Sequence, residues 1–221
     1  MDRLRKLPRG NMIGIVGPLI SFICILISTL ILSGFDWASN ALSDLGSWFR
    51  TDLGNLQIVS AIVFNGGLIV TGLMIFYFII WLVKQINDLP SKIVLLFFAG
   101  SAILLAGIGV FSEDFSFFHF WTAVPFFFSI PIALGLVGLV WIRLSEMRVP
   151  GIVLFILSLM SVLIMFQGWM SLSIAVFETI EAIVMMSGLY LINYIHFTGR
   201  MRSIQIAQTS SHPESKIDVS S

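Results

Sequence analysis

Six apolar stretches, each about 20 residues long, constrain this chain more than any other feature of its sequence. An α-helix needs about 20 apolar residues to cross the hydrocarbon core of a bilayer. Charged or turn-forming residues bound each stretch. We therefore predict an all-α, polytopic membrane protein: a six-transmembrane-helix bundle with spans at approximately 12–33, 56–83, 93–112, 120–142, 150–167 and 172–194.

The composition excludes several other classes of protein. Of the 221 residues, 57% are hydrophobic and 11% are charged, whereas a soluble domain carries about 25% charged residues. Twelve basic residues balance twelve acidic ones, so no basic excess is available to bind a nucleic acid. The single cysteine, Cys24, cannot form an internal disulfide, and its apolar surroundings predict an inert core thiol. A soluble enzyme, a disordered protein and a nucleic-acid binder are excluded, and the lipid bilayer is the expected partner.

The basic residues predict the orientation of the chain. Eleven of the twelve lie in the N-terminal segment, the second and fourth loops and the C-terminal tail, and Arg50 alone lies on the other face. The positive-inside rule then places both termini in the cytoplasm of a cell-membrane protein. We divide the chain into a basic N-terminus (1–11), a transmembrane domain (12–197) and a disordered cytoplasmic tail (198–221). The first span exceeds the 7–15 apolar residues of a signal peptide, so we expect an uncleaved anchor.

The first outer loop has an amphipathic pattern. Apolar residues recur at helical spacing, and polar residues occupy the opposite face. We predict an amphipathic helix lying in the membrane interface, with Ser39 as its N-cap. It would serve either as a surface rest in the headgroup layer or as a lid over a cavity that is open to the outside. Its apolar positions are Trp37, Ala41, Leu42, Leu45, Trp48 and Phe49, and its polar ones are Ser39, Asn40, Ser43, Asp44 and Ser47.

The third loop is short and acidic, and it ends in a histidine at the mouth of the fourth span. Asp114 or Ser116 is suited to cap that helix, whose positive end favours acids such as Glu113. His119 is the only histidine predicted to lie on the outer face of the membrane. Glu113, Asp114 and His119 are therefore candidate ligand-binding residues.

Two glutamates in the sixth span are the strongest anomaly. Glu178 and Glu181 are three residues apart and share one helix face. At 1.5 Å per residue, Glu181 lies about 13 Å below a helix start near residue 172. An acid at that depth must face the bundle interior, protonated or paired, and is a functional-site candidate. The alternative is a structural hydrogen bond between helices. Asn65 in the second span is a further candidate, and Pro131 interrupts the fourth span.

Several of these residues carry a resemblance to a known family. They are the sequence Asn-Ala-Leu-Ser-Asp-Leu-Gly at 40–46, Phe-Ser-Glu-Asp at 111–114 followed by His119, Ala123 and Phe127, and the glutamates of the last span. Over roughly residues 10–197 the chain resembles six-span prokaryotic membrane proteins catalogued as domain of unknown function nine hundred and ninety-eight. The resemblance implies a six-helix bundle without an established activity. It also implies that Ser43, Asp44, Glu113, Asp114 and His119 belong together.

Three functional hypotheses follow. The first is an ion- or proton-coupled carrier whose outward-facing acidic cavity includes Asp44, Glu113, Asp114, His119, Glu178 and Glu181. The second is a non-catalytic protein that binds or senses a small solute, a cation, a lipid or a partner. The third is an intramembrane lipid hydrolase using Ser43, Asp44 and His119.

The sequence weighs against the hydrolase. A catalytic zinc site has about three protein ligands, and only one histidine is predicted on the outer face. No nucleophile-elbow motif is present either. The sequence identifies no cofactor, no metal site and no oligomeric state.

Overall fold

The computed structural model describes residues 7–168 and 173–201, and over these ranges the chain forms six long α-helices. All six are long and apolar enough to cross a membrane, which confirms the predicted all-α six-helix bundle. Residues 1–6, 169–172 and 202–221 lie outside the described part; they include parts of the predicted basic N-terminus and disordered tail and the predicted start of the sixth span. The helices are α1 (Arg9–Ile31), α2 (Gln57–Val83), α3 (Leu89–Val110), α4 (Ser116–Ile142), α5 (Arg148–Gly168) and α6 (Ile174–Phe197).

The outward faces of the helices are apolar. Large side chains such as Leu30, Leu163 and Phe166 are mostly exposed on the isolated chain. A soluble protein rarely exposes apolar surface on this scale. These faces are therefore the surface that lipid covers.

Consecutive helices from α1 to α5 pack side by side, and α6 lies mainly against α5 and α1. Glycines allow the closest approach, as is usual between helices in membranes. A Cβ on Gly138 of α4 would lie 2.7 Å from the backbone nitrogen of Phe155 in α5. The contact between α4 and α6 is much less extensive, which leaves room between these two helices.

The first outer loop differs from the prediction. A five-residue 3-10 helix, Leu42–Gly46, replaces the amphipathic helix that we predicted. Ser39 caps no helix, and its hydroxyl donates to Asp36 instead. The polar side chains of Asp44 and Ser47 are buried rather than turned to solvent, because they bond to other parts of the protein.

A buried polar cluster that the sequence did not reveal lies at the end of the bundle that is nearest the two termini. The Asn11 side-chain amide donates to Oδ1 of Asn193 at 2.5 Å, and the Asn193 amide donates to the Asn11 carbonyl at 2.9 Å. His196 adds a hydrogen bond to the Asn11 side chain at 3.1 Å and packs edge-on against Trp81. These contacts join α1, α2 and α6 at the end opposite the outer loops.

Candidate functional site

Polar side chains of α2 hold the 3-10 helix of the first outer loop against the bundle. The side-chain amide of Gln57 donates to the carbonyls of Asp44 and Ser47 at 2.9 and 2.8 Å. The Ser60 hydroxyl donates to the carbonyl of Leu45 at 2.9 Å, and the Asn65 side-chain amide donates to the carbonyl of Gly46 at 2.8 Å. Four consecutive carbonyls are thereby satisfied without water. The candidate Asn65 thus binds the chain itself and fixes the position of the outer loop.

Asp44 is the centre of a second set of bonds. Its Oδ2 accepts hydrogen bonds from the Asn40 side chain at 2.8 Å and the Ala41 backbone at 3.1 Å. The same oxygen is 2.6 Å from the guanidinium of Arg50. Burial opposes the charge on Asp44, but hydrogen bonds from Glu113, Asn40 and Ala41, together with Arg50, hold its pKa below the ordinary value. Asp44 is therefore an ionised residue that shapes the outer loop and joins it to Glu113.

Asp114 joins the first and third outer loops. Its carboxylate accepts hydrogen bonds from the Ser47 hydroxyl at 2.6 Å, the Trp48 backbone at 2.7 Å and the Ser112 hydroxyl at 2.9 Å. The prediction that Asp114 or Ser116 caps the fourth helix is wrong. The N-cap position of α4 is Phe115, and no side chain bonds to the helix start there. Asp114 instead links the two outer loops, because donors from both loops bind its carboxylate.

Glu178 connects α6 to the outer loop. Its Oε2 accepts a hydrogen bond from the backbone of Leu42 at 2.6 Å. One turn earlier, the backbone of Ala175 donates to the Asn40 carbonyl at 3.2 Å. The half-buried Glu178 side chain lies four residues after the start of α6, about 6 Å along the helix. It therefore belongs to the outer end of the bundle, together with the acidic loops.

Glu181 lies elsewhere. It is fully buried, and its Oε2 accepts a hydrogen bond from the Ser161 hydroxyl of α5 at 2.5 Å. Among the described residues, its Oε1 has no hydrogen-bond partner. Glu181 faces protein, as predicted for an acid at this depth, but it lines neither of the two cavities at the outer end. The structure thus separates the two glutamates: Glu178 joins the outer cluster and Glu181 joins α5 to α6.

His119 has a fixed orientation in the first turn of α4. Its Nδ1 is 2.8 Å from the carbonyl oxygen of Phe111. A carbonyl can only accept, so Nδ1 carries the proton, and Nε2 is the acceptor of the neutral ring. A serine–histidine–acid triad would need an acid on Nδ1. Asp44 does not occupy that position.

Two cavities meet at His119 and Glu178. A smaller interior cavity of about 70 Å³ lies under the 3-10 helix, where Ser43 also lines it. An open cleft of about 680 Å³ lies between α4 and α6, with Glu113 at its polar end. Both spaces are lined by His119, Ala123, Phe127 and Glu178. An acid and a histidine therefore form the wall between an open cleft and an interior cavity.

The described part of the chain offers no ready metal centre. Within residues 7–168 and 173–201, no three side chains of the types His, Cys, Asp or Glu are arranged to hold a metal ion. The acids pair instead with backbone groups, hydroxyls and Arg50.

The six apolar helices and the polar outer cluster define a multi-pass membrane protein. The model of the family described as "Protein of unknown function (DUF998)" matches residues 15–192, and the chain belongs to that family. The resemblance stated from the sequence is thereby confirmed. No curated protein and no solved structure matches the chain.

Sequence reasoning missed the residues that position the site. Gln57 and Ser60 fasten the outer loop, and Ser161 bonds Glu181. The only signal in the sequence is that Gln57, Ser60 and Asn65 are polar residues in the outer half of an apolar span. Polar residues in a span usually face protein partners, and here the partner is the backbone of the preceding loop.

Proposed function

We propose that this protein is an ion- or proton-coupled carrier of the cell membrane, with both termini in the cytoplasm. It binds a cation in the outward-facing acidic cleft between α4 and α6. The observation that carries the proposal is that Glu178 and His119 line both the open cleft and the smaller interior cavity. A cation that binds Glu178 at this wall therefore lies beside both the open cleft and the interior cavity of the bundle.

The charges around the cleft favour a cation. Arg50 is the only basic residue predicted on the outer face, and its guanidinium already binds Asp44 at 2.6 Å and Asp52 at 3.0 Å. No lysine or arginine is among the described residues that line the cleft, whereas Glu113 and Glu178 both line it. Two carboxyl groups in one cleft attract a cation or share a proton.

The candidate residues then take distinct roles. Glu178 and Glu113 bind the cation, and His119 lies beside them at the wall between the two spaces. Asp44, Asp114 and Asn65 hold the outer loops in place. Glu181 anchors α6 to α5 through its bond with a serine and lies outside the binding machinery.

Charge displacement on a solid-supported membrane tests the proposal. Proteoliposomes receive rapid jumps of sodium, potassium, methylammonium or guanidinium, and binding or transport of a cation produces a transient current. We expect a current with at least one of these ions, its loss in Glu178→Gln, and its retention in the matched control Glu181→Gln. No current with any of the four ions, or an unchanged current in Glu178→Gln, contradicts the proposal.

A protein that binds or senses a cation without transporting it is the second candidate. The tight docking of the outer loop on α2 favours it, because a rigid outer loop restricts movement around the site. Uptake of radiolabelled methylammonium separates the two functions. A carrier accumulates label over many turnovers, whereas a receptor gives a binding current without uptake.

The hydrolase hypothesis gains no support from the geometry. Ser43 and His119 line the same interior cavity. However, the Nδ1 of His119 bonds to a backbone carbonyl, and Asp44 bonds to Arg50 and the outer loop. The acid and base of a triad are therefore not joined.

A further inference from the structure

We infer that the ligand of the cleft between α4 and α6 is an amphiphile with a protonated primary amino head group, which enters sideways from the outer leaflet. This inference rests on the proposed function, because it names the class of cation that the acidic site takes. It follows from the size of the cleft, its apolar walls and the unpartnered oxygen of Glu113 at one end.

The cleft has the length and depth of a chain site. It extends along α4 from Ser116 to Phe127, a distance of about 16 Å at 1.5 Å per residue. Half of the hydrocarbon core of a bilayer is about 15 Å thick. The volume of about 680 Å³ far exceeds that of the interior cavity next to it, about 70 Å³. A small hydrated cation leaves most of this space empty, whereas an alkyl chain fills it.

The walls of the cleft are suited to an alkyl chain. They are formed by apolar side chains of both helices: Phe120, Ala123, Val124, Phe127, Ile174 and Phe177. The rings of Phe127 and Phe177 approach to 5.4 Å between centroids and join α4 to α6. A hydrated ion gains nothing from aromatic walls, but a chain that displaces water or loosely packed lipid does.

The polar end of the cleft carries a carboxyl oxygen without a hydrogen-bond partner. Oε2 of Glu113 is buried and has no partner among the described residues. Buried polar atoms nearly always have a partner. Unlike Oε1 of Glu181, which also has none, this oxygen belongs to a residue that lines the cleft, where a ligand can supply the donor. Glu178 uses its Oε2 for Leu42, and the histidine ring offers Nε2 as an acceptor. A primary ammonium group has three donors for such a set, whereas a quaternary ammonium group has none.

Another groove on the bundle supplies an internal control. A groove of about 420 Å³ between α4 and α5 is also apolar and opens on the surface, and Ser158 and Met165 are among its lining residues. No carboxyl group is among the residues that line it. Lipid chains can occupy it, but it has no means of selecting a cationic head group.

Photo-crosslinking in nanodiscs tests the inference. Two probes with the same diazirine-bearing dodecyl chain, one ending in a primary amine and one in an alcohol, are compared with the full chain in a zwitterionic bilayer. At neutral pH the amine is protonated. We expect the amine to label residues 120–127 and 174–177 at least about tenfold more than the alcohol, as one charge-assisted hydrogen bond would give. Both probes should label the α4–α5 groove equally.

The variants identify the head-group site. Glu113→Gln and Glu178→Gln should remove the excess of amine over alcohol in the cleft, and Glu181→Gln should keep it. Matching size-exclusion profiles and circular dichroism spectra show whether each variant is folded. The double variant Glu113→Asp/Glu178→Asp retains both charges and should keep part of the excess even if one glutamine variant misfolds.

Equal labelling of the cleft by both probes, or an excess that persists in Glu178→Gln, overturns the inference. The small-cation currents judge the proposed function separately. Saturating dodecylamine should abolish those currents. If the currents remain unchanged under dodecylamine, the protein still binds cations, and the amphiphile is not its ligand.

Discussion

Replacing Asp114 by alanine should release the first outer loop from the third. The substitution removes the acceptor of the Ser47 and Ser112 hydroxyls and of the Trp48 backbone. The two hydroxyls can turn to water, but the amide of Trp48 cannot, because the backbone fixes its direction. One hydrogen bond to a charged group contributes about 1.5–3 kcal/mol, so we expect the loop to open about 2 kcal/mol more readily.

Hydrogen–deuterium exchange of the peptide covering residues 47–50 measures this change directly. A loss of 2 kcal/mol corresponds to exchange that is about 30-fold faster. Asp52→Ala is the matched control, because the Asp52 carboxylate is largely exposed and its bond to Arg50 is a surface ion pair. Such pairs contribute about 0–1 kcal/mol. Unchanged exchange in Asp114→Ala, or equally fast exchange in Asp52→Ala, would refute the reasoning.

Three further predictions concern the outer loop, the inner loops and the packing of the helices. The pKa of Asp44 is lowered in the folded protein, so the stability that its charge contributes should be complete at neutral pH and should be lost as the pH falls below about 4. The difference in melting temperature between wild type and Asp44→Asn, measured in detergent, should therefore shrink over that pH range. Asp88 caps α3 and pairs with Arg143. Asp88→Ala should therefore lower the free energy of unfolding in detergent by about 1–2 kcal/mol, and Asp88→Asn should lower it clearly less, because asparagine can still cap the helix. Gly138→Ala places a methyl group 2.7 Å from a backbone nitrogen of α5 and should lower the free energy of unfolding by about 1–3 kcal/mol. Gly100→Ala is the control: its methyl group has no neighbour within 4 Å, so it should not destabilise the protein in the same assay.

The sequence predicted the six helices because a bilayer imposes a length and an apolarity that can be read locally. It did not predict the conformation of the outer loop. The periodic pattern around Asp44 and Ser47 separates polar from apolar faces, but it does not show which face meets protein. The polar side faces inward here, because donors on α2, including Gln57, bind the backbone carbonyls of this segment.

The two glutamates of the sixth span illustrate the same limit. Their spacing places Glu178 and Glu181 on one helix face, and the cost of burying a charge predicts that both face protein. Which neighbour each one meets depends on the packing of helices that are distant in sequence. Leu42 of the outer loop lies at the depth of Glu178, and Ser161 of α5 lies at the depth of Glu181.

Thiol labelling from outside the membrane tests most directly whether the cleft is open to the exterior and selects cations. A single cysteine at position 123, on a Cys24→Ser background, lies on the wall shared by the cleft and the cavity. In right-side-out vesicles it should react faster with a small impermeant cationic thiosulfonate than with its anionic counterpart, and Glu178→Gln should remove that preference. A cysteine at Ile132, in the α4–α5 groove, is the lipid-facing control. Failure of Ala123→Cys to react, or equal rates with both reagents, would contradict the account.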